Sequence, residues 1–312
     1  MPPSDGGRGA SEADRPSRRV SARGLLERVA LRFRWPLERP TIFVLGLPGS
    51  GATLFARYLL QRLHVAYFTD GVGRHPQAPV VTTFLERRSE PPRATEETAP
   101  PATEVVWRRF FESERYTRFE HLGREDVDRM RNLVAATQCA FGGAPFVSET
   151  VLHLLRVDAL AGAFPESLFV VVRRRLQDAA LSILRARLAT HDPTRSWFVR
   201  PPDWERLAAL PLEEQVAGQV RSLRRRLDAD LAALPRERVI ALDYERFCRE
   251  PDANLGPLRR MLGALGERSG TAGPFAVVHH VATNERERRL LALLAAGDAR
   301  ELRPDTGRPG GA

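Results

Sequence analysis

Residues 41–63 read TIFVLGLPGSGATLFARYLLQRL, and the predicted fold is built around them. Its first five residues are apolar and rich in β-branched and aromatic side chains, which predicts a buried strand. Residues 46–51 follow as a glycine- and serine-rich turn, and residues 52–63 carry apolar side chains at helical spacing. The stretch therefore predicts a strand, a tight loop and a helix in succession.

A loop of this kind points backbone N–H groups at the helix N-terminus, where the helix dipole favours an anion. The pattern nearly matches G-x-x-x-x-G-K-[ST], with Gly46, Gly51 and Thr53 in place but Ala52 at the lysine position. Because that lysine normally contacts the β- and γ-phosphates of ATP, its absence disfavours ATP hydrolysis. We expect a phosphate or sulfate here, and the alternative is a tight turn that binds nothing.

The composition narrows the chemistry of the site. The chain has 312 residues and a net charge of +9, and all 48 of its basic residues are arginine. Lysine is therefore excluded as nucleophile or phosphate clamp, whereas arginine suits bidentate contact with phosphate or sulfate. The charge is scattered and no zinc-ligand spacing or aromatic RNA-binding signature occurs, so we expect anionic ligands, no metal and no nucleic-acid partner.

The sequence also predicts a compartment. Two cysteines, Cys139 and Cys248, give no disulfide framework, which fits a reducing environment. There is no run of about 18 apolar residues, and the N-terminus lacks the apolar core of a signal peptide. We therefore expect a cytoplasmic protein without a transmembrane helix.

Apolar strand-like runs alternate with amphipathic helical segments along the chain. The predicted strands are 41–45, 65–68, 145–149, 168–172 and 238–242. Alternation of this kind predicts an α/β fold with three layers, α/β/α, around a mainly parallel sheet. One domain is expected over residues 40–298, with a flexible Pro/Thr/Glu-rich insertion at 88–104 and a disordered tail at 299–312.

Residues 1–39 are predicted to be a disordered, basic N-terminal arm. Within it, residues 22–35 carry leucines and valine among arginines, which is the pattern of a short basic amphipathic helix. Such a helix packs on the domain or frays. The other alternative is a weak contact between residues 19–35 and a membrane surface.

Polar residues that follow the predicted strands are the site candidates, because ligands of open α/β sheets bind at the carboxyl ends of the strands. Asp70 follows the second predicted strand, where its other interpretation is a simple turn residue. Arg174 follows the most apolar strand, and Ser182 comes eight residues later on the next predicted helix. A turn and two helical turns would bring the Ser182 hydroxyl toward the same anion as Arg174.

Three segments in order carry a resemblance to a known family. Residues 48–55 read PGSGATLF, residues 164–182 begin with FPES and contain Arg174 and Ser182, and residues 244–251 read YERFCREP. Together they resemble the signatures of sulfotransferases that use 3′-phosphoadenosine 5′-phosphosulfate (PAPS) as sulfuryl donor. That family has a fold like the P-loop NTPases but without the Walker lysine, and the resemblance covers roughly residues 41–265.

The resemblance implies a function and a set of binding residues. The chain is expected to transfer a sulfuryl group from PAPS to a hydroxyl or amine, without a metal. The loop would hold the 5′-phosphosulfate, and Arg174 with Ser182 would hold the 3′-phosphate. The loop residues are Pro48, Gly49, Ser50, Gly51, Ala52 and Thr53.

Two positions depart from the family pattern. Gly49 stands where the family has arginine, and Glu149 stands where it has the lysine of a K-[TN]-P segment. Both missing cations normally stabilise charge on the transferring group, and the loss of one such contact costs about 3 kcal/mol. Arg57, Arg74 or Arg173 would compensate, or else catalysis is weak or lost.

A catalytic base is also required to take the proton of the acceptor. Asp70 is the first candidate, with Glu149 and His153 as backups. The acceptor stays open among carbohydrates, lipids, phenols and peptides. The alternative functions are an inactive, sulfotransferase-like nucleotide-binding protein and, with less support, a P-loop kinase.

Overall fold

The computed structural model describes residues 21–88, 102–112, 114–263, 266–268 and 274–301. Its strands are β1 (Thr41–Leu45), β2 (Phe146–Glu149), β3 (Leu168–Arg173) and β4 (Val239–Asp243). Its helices are α1 (Ala22–Ala30), α2 (Ala52–Arg62), α3 (Gly71–Arg74), α4 (Pro79–Glu86), α5 (Ala102–Trp107), α6 (Arg124–Ala140), α7 (Val157–Ala163), α8 (Leu176–Leu188), α9 (Trp204–Ala208), α10 (Leu212–Ala232), α11 (Tyr244–Arg249), α12 (Gly256–Leu262) and α13 (Glu285–Glu301). Short 3₁₀ helices cover Phe119–His121, Val151–Leu155, Arg236–Arg238 and Asp252–Leu255.

The four strands form one parallel sheet in the order β2-β1-β3-β4. From β1 the chain moves first to one side of the sheet and then, after β2, to the other side. Right-handed crossovers in opposite directions place the connecting helices on opposite faces. The α/β class with three layers and a parallel sheet is therefore confirmed, and β1 occupies a central position with the loop 46–51 at its carboxyl end.

Phe43 anchors this central strand in the core. Its ring stacks on Phe169 of β3 at a centroid distance of 5.5 Å and meets Phe164 edge-on at 5.6 Å. Trp107 and His153 pack against the same ring at 6.1 and 5.3 Å. All of β1 is buried. Aromatic packing of this kind fixes the end of β1, and with it the position of the following loop.

The second strand predicted at 65–68 does not form. Only Ala66 bridges to Phe146, with its N–H donating to the Pro145 carbonyl at 2.8 Å and its carbonyl accepting from Val147 at 2.8 Å. The neighbouring rings of Tyr67 and Phe68 are buried by packing rather than by strand pairing. The apolar run therefore lies along the edge of β2 without extending the sheet.

The N-terminal arm is partly ordered. Ser21 caps α1 by accepting a hydrogen bond from the Gly24 N–H at 3.1 Å, and the Trp35 N–H donates to Asn132 at 2.9 Å. Residues 21–39 therefore pack on the domain, which corrects the prediction of a disordered arm for this part. Residues 1–20, most of the insertion (89–101) and the end of the tail (302–312) lie outside the described residues.

The C-terminal helix continues to Glu301, past the predicted start of the tail at residue 299. Neither cysteine forms a disulfide within the described residues, and Cys139 is exposed whereas Cys248 is buried. No helix within the described ranges combines the length and the apolar character needed to cross a bilayer.

Candidate functional site

A cavity of about 730 Å³ lies at the carboxyl ends of β1, β2 and β3. The loop after β1 and the start of α2, residues 46–54, form its floor. One side is lined by Glu104, Arg108 and residues 149–152, and the other by Arg174, Ser182, Ile183, Ala186, Phe198, Tyr244, Val278 and His280. The cavity therefore occupies the edge of the sheet where ligands of α/β proteins bind.

The loop turns on two glycines with positive φ. Gly49 has φ +76° and Gly51 has φ +87°. Residues that carry a side chain adopt such φ values only with backbone strain. A Cβ on Gly49 would lie 2.7 Å from the Ser182 side chain, and one on Gly51 would lie 2.5 Å from the ring of Tyr244. The loop is therefore seated directly against β3–α8 and against the start of α11.

The N-terminus of α2 faces the cavity without a side-chain cap. Gly51 occupies the cap position and has no side chain with which to accept a capping hydrogen bond. The hydroxyl of Ser50, which lines the cavity, is buried and has no partner in the part of the chain that the structure describes. Uncapped backbone N–H groups with a hydroxyl beside them fit a bound anion.

Arg174 and Ser182 come together beside this loop, as their spacing predicts. The Arg174 guanidinium donates to the Gly49 carbonyl at 2.6 Å and to the Val278 carbonyl, and it stacks 4.3 Å above the Tyr244 ring. Ser182 packs against Gly49 from α8. Both side chains line the cavity. Their contact with a phosphate stays a prediction.

Glu149 ends β2 opposite Val44 and lines the cavity. Burial raises the pKa of its carboxyl group to about 7, although a hydrogen bond with Thr53 and the charge of Arg57 both act to lower that pKa. Thr53 lies in the first turn of α2, so the carboxyl group sits beside the anion loop. A carboxyl group with this pKa exchanges protons near neutral pH.

The other two candidate bases lie outside the cavity lining. Asp70 is exposed at the start of α3, beyond the edge of the sheet. His153 is fully buried, with its Nε2 hydrogen-bonded to Ser148 at 2.8 Å, and burial together with the charge of Arg156 holds its pKa well below the ordinary value. The structure thus brings only Glu149, of the three, to the predicted binding residues.

The arginines expected to replace the missing cations also lie outside the lining. Arg173 pairs with Asp228 at 2.8 Å, and Arg74 pairs with Glu86 at 3.6 Å on the surface. The charge of Arg57 acts on Glu149. Within the described residues, the arginines that line the cavity are Arg174 and Arg108. Arg108 was not predicted, because nothing in its sequence separates it from the other arginines near the insertion.

A buried ion pair positions Arg108 and its neighbours. Arg156 is fully buried and donates two hydrogen bonds to the carboxylate of Glu104, at 3.1 and 3.2 Å. The Thr150 hydroxyl donates to the same carboxylate at 2.8 Å. These bonds tie α5 to the segment after β2. Arg108, which follows α5, is thereby held at the Glu149 side of the cavity.

The segment from 274 to 284 closes the opposite side. Asp178 in the first turn of α8 accepts the His280 N–H at 2.6 Å and faces the His279 ring at 3.4 Å. A carboxylate oxygen of Glu245 lies within 4.8 Å of the side-chain oxygen of Asp178 and the ring nitrogen of His279. This spacing of three side chains is compatible with a metal ion. Asp178 already contacts the two histidines and pairs with Arg175 at 3.7 Å. The cluster is therefore better explained as a set of contacts that attach segment 274–284 to α8.

A sequence profile described as the sulfotransferase family matches residues 40–266. The chain belongs to the sulfotransferase family. The match covers every strand of the sheet, the anion loop and the Arg174–Ser182 pair. The recognition made from the three sequence segments is therefore confirmed, and a transferase is supported.

Solved sulfotransferases resemble this family member only distantly. Sulfotransferase STF1 from Mycobacterium tuberculosis H37Rv is 15% identical, with a TM-score of 0.47 over 86% of this chain and 77% of that one. A sulfotransferase from Alicyclobacillus acidocaldarius is 18% identical, with a TM-score of 0.44 over 84% and 94%. The sulfotransferase domain from the curacin biosynthetic pathway is 13% identical, with a TM-score of 0.47 over 82% and 98%. No curated protein matches the chain.

Replacement of Gly51 tests how tightly the loop packs against Tyr244. Gly51→Ala combines the strain of a positive φ, about 1–2 kcal/mol, with a clash against Tyr244. Gly142→Ala is the matched control, since Gly142 has φ +68° but nothing within 4 Å of its Cβ position. Denaturant unfolding should show a larger loss of stability for Gly51→Ala. Equal losses would contradict the close contact with Tyr244.

The raised pKa of Glu149 predicts a specific pH dependence of stability. The folded protein keeps this proton up to about pH 7, whereas the unfolded chain releases it near 4.5. The folded state therefore binds more protons in this window, so the free energy of unfolding falls as pH rises, by about 3 kcal/mol in total. Glu149→Gln should lack this component when unfolding is compared at pH 5 and pH 8. A wild-type-to-variant difference that does not change with pH would refute the raised pKa.

Proposed function

We propose that the chain transfers a sulfuryl group from PAPS to a hydroxyl or amine of an acceptor. The observation that carries this proposal is that a single cavity contains both the uncapped loop at 48–53 and the Arg174–Ser182 pair. PAPS has anionic groups at both its 5′ and 3′ positions, so a site for it needs two separate anion-binding ends. Membership of the sulfotransferase family supports this choice of donor.

In this proposal the loop backbone binds the 5′-phosphosulfate. The N–H groups at the start of α2 donate to its oxygens, with the helix dipole adding to the attraction. Arg174 and Ser182 bind the 3′-phosphate from the β3–α8 side. The contacts of Arg174 with two carbonyl oxygens and with the Tyr244 ring hold its guanidinium in place before the ligand arrives, which reduces the entropy lost on binding.

Glu149 is the proton acceptor in this proposal. The acceptor oxygen or nitrogen forms a bond to sulfur while the bond from sulfur to the bridging phosphate oxygen breaks, and the acceptor proton passes to the Glu149 carboxylate. The products are 3′-phosphoadenosine 5′-phosphate and a sulfate ester or sulfamate. Its pKa of about 7 makes Glu149 an effective base near neutral pH, because it is substantially ionised and still holds a proton well.

Arg108 supplies positive charge on the same side of the cavity. It follows α5 and lines the wall beside Glu149, and its only ion pair in the described part of the chain is with Glu104 at 3.4 Å. Its side chain is 59% exposed, so the guanidinium is free to turn toward a bound anion. It therefore replaces, from a different element, one of the cations that Gly49 and Glu149 no longer provide.

A second candidate function is nucleotide binding without transfer. The observation that favours it is the charge of the site, where a carboxyl group stands beside the anion loop and Gly49 carries no side chain. An ionised Glu149 repels the sulfate of the donor. Binding of a nucleotide then survives through Arg174 and Ser182 while the transfer step is lost.

A P-loop kinase has less support, because Ala52 lacks the amine that would contact the phosphates of ATP.

Nucleotide preference and transfer separate these functions. 3′-Phosphoadenosine 5′-phosphate should raise the melting temperature, whereas ATP with magnesium should not. Labelled PAPS should then transfer sulfate to at least one of 4-nitrophenol, glucosamine and a tyrosine-containing peptide. Stabilisation by ATP and magnesium alone would overturn the proposal in favour of a kinase. Nucleotide binding with no transfer would favour the second candidate.

Variants of two carboxylates test the assignment of the base. Glu149→Gln should lower the transfer rate by about 10²–10⁴-fold while leaving the affinity for 3′-phosphoadenosine 5′-phosphate largely unchanged. Asp70→Asn is the matched control, since Asp70 is exposed and outside the cavity lining. It should retain the rate of the unaltered protein. The opposite pattern would move the role of base from Glu149 to Asp70.

A further inference from the structure

Helix α1 turns its apolar side chains toward solvent. Leu26 is 57% exposed and Phe33, just after the helix, is 62% exposed, with Leu25 and Val29 exposed beside them. In sequence these residues are spaced so that they fall on one side of a helix. An amphipathic helix of a globular protein normally places such a stripe in the core, so α1 has the reverse arrangement.

A buried carboxylate fixes this orientation. Glu27 is only 3% exposed, and its two oxygens accept the backbone N–H groups of Val80 at 3.1 Å and Val81 at 2.9 Å in the first turn of α4. A carboxylate at a helix N-terminus is favourable, and its loss would leave two N–H groups without these acceptors. The side of α1 that carries Glu27 therefore faces α4, and the leucines on its opposite side face solvent.

The second half of the neighbouring helix α4 shows a similar reversal, whereas residues 79–80 at its start are buried in the usual way. Thr82 and Thr83 are fully buried, and their hydroxyls have no hydrogen-bond partner in the described part of the chain. Phe84 and Leu85, the next two residues, are exposed. Burial of unpartnered hydroxyls and exposure of large apolar side chains are both unfavourable for an isolated domain. This pattern indicates that the exposed side of α4 forms part of a binding surface.

Helices α1 and α4 pack on each other, and we call their exposed apolar side chains together the α1–α4 face, which consists of Leu25, Leu26, Val29, Phe33, Phe84 and Leu85. Large exposed apolar side chains are uncommon elsewhere in the described residues. Twelve occur in all, and six of them belong to this face. Apolar residues concentrated in this way mark an interaction surface rather than ordinary surface composition.

Among the described residues, the unpaired charges that α1 and the turn after it add beside the face are positive. The nearby carboxylates are each paired with an arginine, Glu86 with Arg74 and Asp128 with Arg34. Arg28 and Arg32 are exposed on α1 and the turn after it, and neither has a carboxylate partner among the described residues. The one acidic residue of α1, Glu27, is buried on the opposite side. Arginine side chains extend their apolar stems along such a surface while keeping the guanidinium at its rim. An apolar centre with a cationic rim is complementary to a surface of acyl chains and anionic headgroups.

We propose that the α1–α4 face docks the protein on an anionic lipid bilayer. The apolar side chains of α1 and α4 enter the boundary between headgroups and acyl chains, and Arg28 and Arg32 contact the anionic headgroups. The helices lie in the plane of the surface and do not cross it. This develops the membrane contact that the sequence left as one alternative for residues 19–35, and it does not depend on the reaction catalysed.

Vesicle co-sedimentation of the full-length protein tests this docking. The protein should pellet with vesicles of phosphatidylcholine and phosphatidylglycerol, pellet much less with phosphatidylcholine alone, and lose binding as salt is raised. Leu25→Ser/Leu26→Ser should weaken the partition coefficient about tenfold, because two apolar side chains no longer enter the bilayer. Arg28→Gln/Arg32→Gln should remove most of the preference for phosphatidylglycerol.

The matched control is Met261→Ser/Val281→Ser, which removes two exposed apolar side chains far from the face in sequence. It should bind vesicles like the unaltered protein, and all variants should keep its melting temperature. Absence of binding to phosphatidylglycerol vesicles would overturn the proposal. So would equal weakening by the control variant. A concentration-dependent dimer that Leu25→Ser/Leu26→Ser abolishes, without vesicle binding, would assign the face to a second copy of the chain instead.

Discussion

Gly49 and Gly51 allow the loop after β1 to turn with positive φ, and neither position has room for a Cβ because Ser182 and Tyr244 lie against it. This contact brings together the three parts of the site, since Ser182 belongs to α8 and Tyr244 to α11. Arg174 completes the junction by bonding the Gly49 carbonyl and stacking on Tyr244. The loop and the strand-end arginine are thus held at a fixed separation by packing and by this hydrogen bond, before any ligand binds.

The positive charge in the cavity is supplied without lysine. Backbone N–H groups of α2, together with Arg174 and Arg108, provide the positive potential within the cavity. Glu149 provides the opposite charge, and burial keeps it protonated for much of the time near neutral pH. This partial neutrality is compatible with the anion site that we propose, because a permanently ionised carboxylate would repel an anionic ligand.

The parts of the site that were predictable are those encoded by local sequence. The strand, loop and helix at 41–63 follow from apolar spacing and glycines, and Arg174 and Ser182 follow from a strand end and helical spacing. Asp70 was expected near them because residues 65–68 resemble a strand, yet only Ala66 pairs with the sheet. The burial of His153 and the position of Arg108 depend on packing between distant segments, which the local pattern does not contain.

We have proposed that the cavity binds a nucleotide at two anionic ends. Calorimetric titration with 3′-phosphoadenosine 5′-phosphate and with AMP measures this directly, because the two ligands differ only in the 3′-phosphate. The bisphosphate should bind the unaltered protein at least about tenfold more tightly, as expected for one charged hydrogen bond. Arg174→Ala should abolish this advantage, and Arg175→Ala, which removes an exposed arginine outside the lining, should preserve it. Equal affinities of the unaltered protein for the two nucleotides would show that the cavity has no binding site for the 3′-phosphate.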